Sequence, residues 1–309
     1  MCQTFTFERI SKEKLSDFYT LFKVRAKDYS FTFFCKKYDT EWTGKEFIGV
    51  IGYDKLKNPI AHVAAFPMPI ELEGRKYLTC QLGDLIIHPD HQRKGIFPML
   101  MDKLNIIAKG EGIDFLHASP NQQADSRFSQ NGWMCFDNFK IYTFKTKCVP
   151  LNKFTNKYKL LPLHDLYIKG VLCLFGNKRT AFKNSVIEHG IGGLIRSQGY
   201  SNYKKYTYNY ITSINGFKIW WKIDDGLSVG DVARFAPSRL NAFFKTLRFL
   251  CFIFGFHNFK IITTNNTYID TLLKDTYSFE KGNNIFFYDI SSGLDFSKIK
   301  FMQSDLNTF

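Results

Sequence analysis

One stretch limits the possible folds of this chain more than any other: "CQLGDLIIHPDHQRKGIFPMLMDKL", Cys80 to Leu104. Its first part is a near-continuous apolar run. That is the pattern of a strand covered on both faces rather than one with a wet side. Pro89 and the Asp90-His91 pair then turn the chain. From about Gly95 to Lys109 the apolar residues Ile96, Leu100, Leu104 and Ile107 recur at helical spacing. Pro98 is tolerated because the first helical turn has no internal partner for its missing N–H. Gly110 and Gly112 end the helix. The segment therefore reads as a buried strand that passes through a basic, glycine-containing turn into a helix. The first N–H groups of such a helix lack internal acceptors and, with the positive end of its dipole, form an anion site. Gly95 allows close approach of the bound group, and Arg93 and Lys94 add charge.

The flanking segments supply a consistent order. "QTFTFERI" alternates as a strand, and Leu15, Phe18, Tyr19 and Phe22 follow with helical spacing. Residues 46–77 read as two or three strands, broken at "KLKNP" and at the Gly74–Arg75 corner. "DFLHASP" reads as a strand, "NQQADSRFSQNGW" as a short helix and "MCFDNFKIYTFK" as a closing strand.

With Gln92, Gly95, Asn121, Ala124 and the Gly132–Trp133 pair, this order resembles the GNAT family of acyl-CoA-dependent N-acyltransferases. Their pyrophosphate loop runs Gln/Arg-x-x-Gly-x-Gly/Ala. Gln92-Arg93-Lys94-Gly95 matches its first four positions, and Phe97 departs from its last. The resemblance implies an α/β fold with a mixed sheet, the GNAT fold over residues 1–145, within a domain of residues 1–150 that holds the CoA site. It implies that the backbone of Leu85, Ile86 and Ile87 pairs with the pantetheine arm. Arg93, Lys94, Gly95, Ile96, Phe97 and Pro98 would hold the pyrophosphate, and Asn121 would support the thioester end. Acetyl-CoA, or another acyl-CoA, would be the co-substrate, with no metal. Many relatives carry a tyrosine acid seven residues after the asparagine; this chain has Phe128, which has no proton to give.

A base that frees an amine for attack is a carboxylate or histidine near the reacting carbon. Asp84, at the start of the proposed cofactor segment, is the candidate. His62, His117, Glu71 and Glu73 are weaker ones. The second half repeats the first faintly: "VGDVARFAPSRLNAFFKTLRFL" can be laid on "LGDLIIHPDHQRKGIFPMLMDKL", pairing Gly230-Asp231 with Gly83-Asp84. Its turn has no Gln-x-x-Gly. Residues 151–309 thus read as a degenerate GNAT-like lobe that offers an acceptor surface.

Charge bears on partners. The net charge is +14. Residues 1–150 hold 21 Lys/Arg against 17 Asp/Glu, and residues 151–309 hold 21 against 11. This suits an anionic ligand such as CoA. No basic cluster with interleaved aromatics marks a nucleic-acid groove, so no nucleic-acid partner is expected. The seven cysteines are dispersed, with no zinc-ligand spacing, as expected of reduced thiols in a cytoplasmic protein. The start lacks a signal-peptide core, and no run reaches the roughly 18 apolar residues of a membrane span. The expected activity is acyl transfer, acetyl by default, to a small or sugar-linked amine such as a polysaccharide precursor. Two alternatives are a FemABX-like aminoacyl or peptidyl transferase, which would take its acyl group from tRNA, and a non-catalytic CoA-binding protein.

Overall fold

The structure is a computed structural model that describes residues 5–24, 29–149, 151–174, 182–187 and 190–309. Cys2 and the end of the basic segment after Leu174 lie outside them. In chain order the elements are β1 (Thr6–Arg9), α1 (Leu15–Lys23), α2 (Phe31–Lys37), β2 (Gly49–Tyr53), β3 (Pro59–Leu72), β4 (Arg75–Ile87), α3 (Ile96–Gly110), β5 (Phe115–Ala118), α4 (Asp125–Gln130) and β6 (Met134–Lys145). There follow α5 (Leu151–Lys157), α6 (Leu161–Leu174), the two-residue β7 (Gly193–Leu194), α7 (Gln198–Tyr203), β8 (Asn209–Ile214), β9 (Phe217–Asp224), β10 (Gly226–Val232), α8 (Leu240–Phe254), β11 (Asn258–Thr264), α9 (Tyr268–Leu273) and β12 (Glu280–Asp289). No helix among the described residues is long and apolar enough to cross a membrane.

The chain forms two compact units. Unit 1 comprises residues 1–136 and 284–296, and unit 2 comprises residues 137–283 and 297–309. The expected single boundary near residue 150 gives way to strands that change unit. β6, read as the strand that closes the first sheet, pairs along Phe139–Lys145 with β11 in unit 2. The strand beside β5 in unit 1 is instead the end of β12, with Phe286 opposite Ala118 and Asp289 opposite Phe115. β6 alternates only in part and β12 carries the apolar run Ile285–Tyr288, and neither pattern names the strand that lies alongside, so sequence pattern alone does not tell which one β5 takes.

In unit 1, β1, β2, β3 and β4 run antiparallel in that order, and β5 joins β4 in parallel. The period-2 alternation of β3 divides its core. Ala61, Val63 and Ala65 pack with Leu100 and Leu104 of α3, while His62 and Phe66 face Phe18 of α1 and Tyr38 just after α2. α3 begins at Ile96 and carries Pro98 in its first turn, as its spacing predicts.

Unit 2 repeats this succession. β8, β9 and β10 form an antiparallel meander, α8 follows, and β11 joins β10 in parallel over Leu227↔Phe259 to Val229↔Ile261. Buried Phe243, Leu247, Leu250 and Phe254 form the inner stripe of α8.

Two histidines of unit 1 are fully enclosed. His62 stacks on Phe18, with ring centroids 3.9 Å apart, and burial pushes its pKa down to about 4. Burial likewise pushes His117, on β5, down to about 3. Both are neutral in the fold, whereas the unfolded chain protonates them near 6.5. Their stabilisation is present above pH 6.5 and is lost as the pH falls from there toward 4 for His62 and toward 3 for His117, because the unfolded state then binds the extra protons. For His62 the full difference amounts to about 3 kcal/mol. We expect NMR of the imidazole carbons to show a neutral His62 at pH 5 in folded protein, with unfolding free energy declining below pH 6.5. A ring that titrates near 6.5 in the folded state contradicts this assignment.

Candidate active site

The site begins where a ladder ends. β4 and β5 pair only over Thr79↔Phe115, Cys80↔Leu116 and Gln81↔His117. Immediately beyond, β4 bulges: its register with β3 passes from Ala64↔Gly83 to His62↔Ile86, placing one extra residue on β4. Asp84 takes a left-handed backbone there, with φ +49°. Gly83, Asp84 and Leu85 are half-buried while residues on either side are buried, so the strand meets solvent at this step.

Three side chains hold the bulge. The buried Lys37 ammonium donates to both Asp84 oxygens at 2.7 and 2.8 Å, and the Tyr38 hydroxyl donates at 3.0 Å. His62 Nδ1 lies 3.0 Å from the Asp84 carbonyl oxygen. That oxygen can only accept, so Nδ1 carries the hydrogen. Asp84, the candidate base, therefore points its carboxylate at Lys37 and Tyr38, and it is not among the residues that line the cleft.

The cleft itself has two adjoining parts. One, of about 240 Å³, is lined by Leu85, Ile87, Gln92, Phe97, Asn121, Gln123, Ala124 and Arg127. The other, of about 180 Å³, adds His91, Arg93, Gly95, Ile96 and Pro98. The fold thus brings together the open edge of β4, the turn, the first turn of α3, and the loop and helix after β5. Of the residues expected here, Ile86 turns its side chain into the core and Lys94 lines neither part.

The turn leaves several N–H groups without an internal acceptor. Arg93 and Gly95 both have left-handed backbone, φ +61° and +71°. Such reversals in a loop turn successive N–H groups to one side. Gly95 is the N-cap of α3, with no side-chain cap and no acidic residue in the first turn. The first helical N–H groups are therefore left for an outside acceptor. A Cβ built on Gly95 meets nothing within 4 Å, so the space in front of it is open. Pro98 corrects the expected donor set: it has no N–H, so it contributes only its ring, and the donors run from Arg93 to Phe97. Gln92 reaches back to the Ile87 carbonyl at 3.4 Å, tying the turn to the strand end.

The two departures from the family pattern touch each other. Phe97 meets Phe128 edge-on, with centroids 5.5 Å apart, and Phe128 packs in turn on Trp133 and Phe286. Phe128 is buried and is not among the lining residues. Arg127 also lines both parts of the cleft, a place that no sequence pattern marks. It belongs to the cleft because Phe128, the next residue on α4, turns inward and leaves the arginine outward. Glu71 and Glu73 lie beside the far turn of the β3–β4 hairpin, away from the bulge.

Unit 2 contains a comparable step with a different outcome. β10 bulges at Gly230, just after its three-pair ladder with β11. Asp231, which follows the bulge, is fully buried and pairs with Arg196. Beyond the ladder, Thr263 bridges to Met302, the Thr264 N–H donates to the Phe301 carbonyl at 3.1 Å, and Ser228 donates to Gln303 at 2.6 Å. The Phe309 ring stands where a side chain on Gly230 would project. The segment 301–309 therefore packs against the bulged end of β10 and the neighbouring end of β11.

Residues 3–133 match the acetyltransferase (GNAT) family. No curated protein matches the chain. Among solved structures, a probable N-acyltransferase of unknown function from Enterococcus faecalis aligns with TM-score 0.61 and 13% identity, over 93% of this chain and 73% of that one. A GCN5-related N-acetyltransferase from Anabaena variabilis aligns with TM-score 0.58 and 10% identity, over 93% and 73%. Eis1 from Mycobacterium abscessus aligns with TM-score 0.56 and 8% identity, over 93% and 74%. At these identities the likeness is one of fold. The family match covers the splayed β4–β5 pair, the turn and the start of α3, and the chain accordingly carries, over residues 3–133, an acetyltransferase domain of the GNAT family.

Proposed function

We propose that unit 1 binds acyl-CoA, acetyl-CoA in the first instance, and transfers the acyl group to an amine. The observation that carries this reading is the convergence of the open β4 edge, the uncapped first turn of α3 and Asn121 on one cleft. The donor set fits a pyrophosphate: N–H groups from Arg93 to Phe97, the open space before Gly95, and the Arg93 and Arg127 guanidinium groups at the cleft wall. The unpaired edge of β4 at Leu85 and Ile87 suits an extended amide-bearing arm, which can add main-chain hydrogen bonds as a further strand would. Asn121, exposed on the loop after β5, offers an amide to the cleft wall.

Acyl-CoA supplies an activated thioester; the amine nitrogen forms the new amide as the C–S bond breaks. The proton lost by the amine balances the one gained by the thiol. Phe128 carries neither, so both pass through solvent or groups on the acceptor side. Asp84 acts in this reading by holding the bulge that presents Leu85, with Lys37 and Tyr38 occupying its carboxylate. The acceptor class to test first is amino sugars and sugar-linked precursors.

Unit 2 is, in this reading, a degenerate second lobe. Support comes from the repeated succession, the repeated Gly-Asp bulge and the absence of a glycine turn before α8. Because segment 301–309 occupies its equivalent opening, it takes no CoA of its own.

Calorimetric titration tests both points. CoA should bind with a stoichiometry of one per chain. Gly95→Val places a branched side chain at φ +71° and in the open space, and should raise the CoA dissociation constant at least about tenfold, some 1.4 kcal/mol. Unchanged affinity in a folded variant would remove the turn from the site, and two CoA per chain would refute the filled second opening. Asn121→Ala should slow acetyl transfer across a panel of amines with little change in melting temperature. Normal kinetics in that variant would leave Asn121 as a loop residue only.

A further inference from the structure

Unit 2 exposes an apolar surface that its own core does not use. α6 has an inner stripe, His164, Asp165, Ile168 and Leu172, that is buried. Its outer stripe is also apolar: Leu163 and Leu166 are 61% and 67% exposed, and Tyr167 is exposed beside them. A helix that is apolar on both sides is normally covered on both sides. The surface does not stop at α6. The Tyr167 hydroxyl donates to the Ile253 carbonyl at 3.0 Å, and His164 Nε2 bonds the Phe254 carbonyl at 2.8 Å. This brings in the end of α8, where Phe252 is 71% exposed. Leu151, at the start of α5, sits against Gly255, and α5 and the residue after it add the exposed Phe154 and Tyr158, whose rings lie 4.6 Å apart. Isolated exposed apolar residues need no explanation, but a contiguous group of this size marks a contact surface.

Charge selects the partner. From Asn138 to His164 the sequence holds six lysines and no acidic residue; from Val232 to Ile269 it holds five Lys/Arg and none. Lys145, Lys147, Lys153, Lys157 and Arg248 are exposed, and among the described residues none forms an ion pair with a carboxylate. A second copy of this chain would bring the same cations against themselves, which disfavours a symmetric dimer through this face. Aromatic and aliphatic side chains beside unpaired lysines suit a surface that is negatively charged outside and apolar beneath. Since no described helix can span a bilayer, contact would be with its surface.

We propose that the face formed by α5, α6 and the end of α8 docks unit 2 on an anionic lipid surface, with Phe154, Tyr158, Leu163, Leu166, Tyr167 and Phe252 entering the headgroup boundary and the lysines meeting lipid phosphates. This inference is independent of acyl-CoA binding by unit 1.

Co-sedimentation of the full chain with vesicles tests it. The chain should partition onto equimolar phosphatidylcholine–phosphatidylglycerol vesicles and much less onto phosphatidylcholine alone. Binding should weaken as salt is raised. Replacing Leu163, Leu166 and Phe252 together by Ser should lower partitioning at least about tenfold. Lys153→Glu with Lys157→Glu should weaken binding to anionic vesicles without altering the apolar residues. Circular dichroism and gel filtration report whether each variant remains folded. Absence of partitioning by the folded wild-type chain overturns the proposal. So does equal partitioning onto both vesicle types, or a concentration-dependent dimer that the triple Ser variant dissociates.

Discussion

A parallel ladder that closes over three residue pairs and then opens governs the architecture of unit 1. β4 cannot follow β5 past Gln81, because the bulge at Gly83–Leu85 adds a residue that β3 does not match. The bulge needs a left-handed residue, and Asp84 is held in that conformation by an ammonium, a phenol and a histidine ring that converge on it from α2, the residue after α2, and β3. Non-glycine residues persist in this conformation where surrounding contacts over-determine it. The opening that results exposes unpaired backbone, and α3 begins nearby with its own N–H groups unsatisfied. Strand edge and helix end therefore face one cleft as a consequence of one backbone irregularity.

The same irregularity in unit 2 leads elsewhere. β10 also bulges at a Gly-Asp pair after three pairs with β11, and its aspartate also meets a cation, Arg196. Here the aspartate is fully buried, and Arg196 bridges to Asp305 at 2.8 Å. That bridge fastens the segment whose Phe301, Met302 and Phe309 fill the opening. A buried ion pair of this kind owes its persistence to geometry and to its partner hydrogen bonds more than to net attraction. A bulge thus borders a cleft in unit 1 and a packed core in unit 2: the difference lies in what chain is available to cover the opened edge.

Local chemistry made much of unit 1 legible. Apolar continuity identified the second half of β4, the i, i+3, i+4 spacing identified α3, and Gly95 with its neighbours marked the uncapped turn before it. Each of these signals arises from residues adjacent in sequence, so it survives without knowledge of the fold. Arg127 was not legible, because its place in the cleft depends on which way a short helix turns Phe128. The role of Asp84 was not legible either. Its partner Lys37 is 47 positions away, and nothing in a lysine beside a tyrosine announces that it is buried against a carboxylate.

The sequence by itself determined most of the succession of strands and helices in residues 1–133, though not α2 (Phe31–Lys37), together with the composition of the turn before α3 and the uneven basic charge that bears on both proposed ligands. Only the tertiary structure decided which strand closes each sheet. The partial alternation of β6 and the apolar run Ile285–Tyr288 of β12 each suit a strand inside a sheet, but neither specifies whether β5 or β11 lies beside it, because pairing joins segments distant in sequence. Their exchange places residues 284–296 in unit 1 and residues 137–145 in unit 2. It also took the fold to bring segment 301–309 into the opening beside β10, since contacts between distant segments are set by the shape left to be filled and not by local pattern.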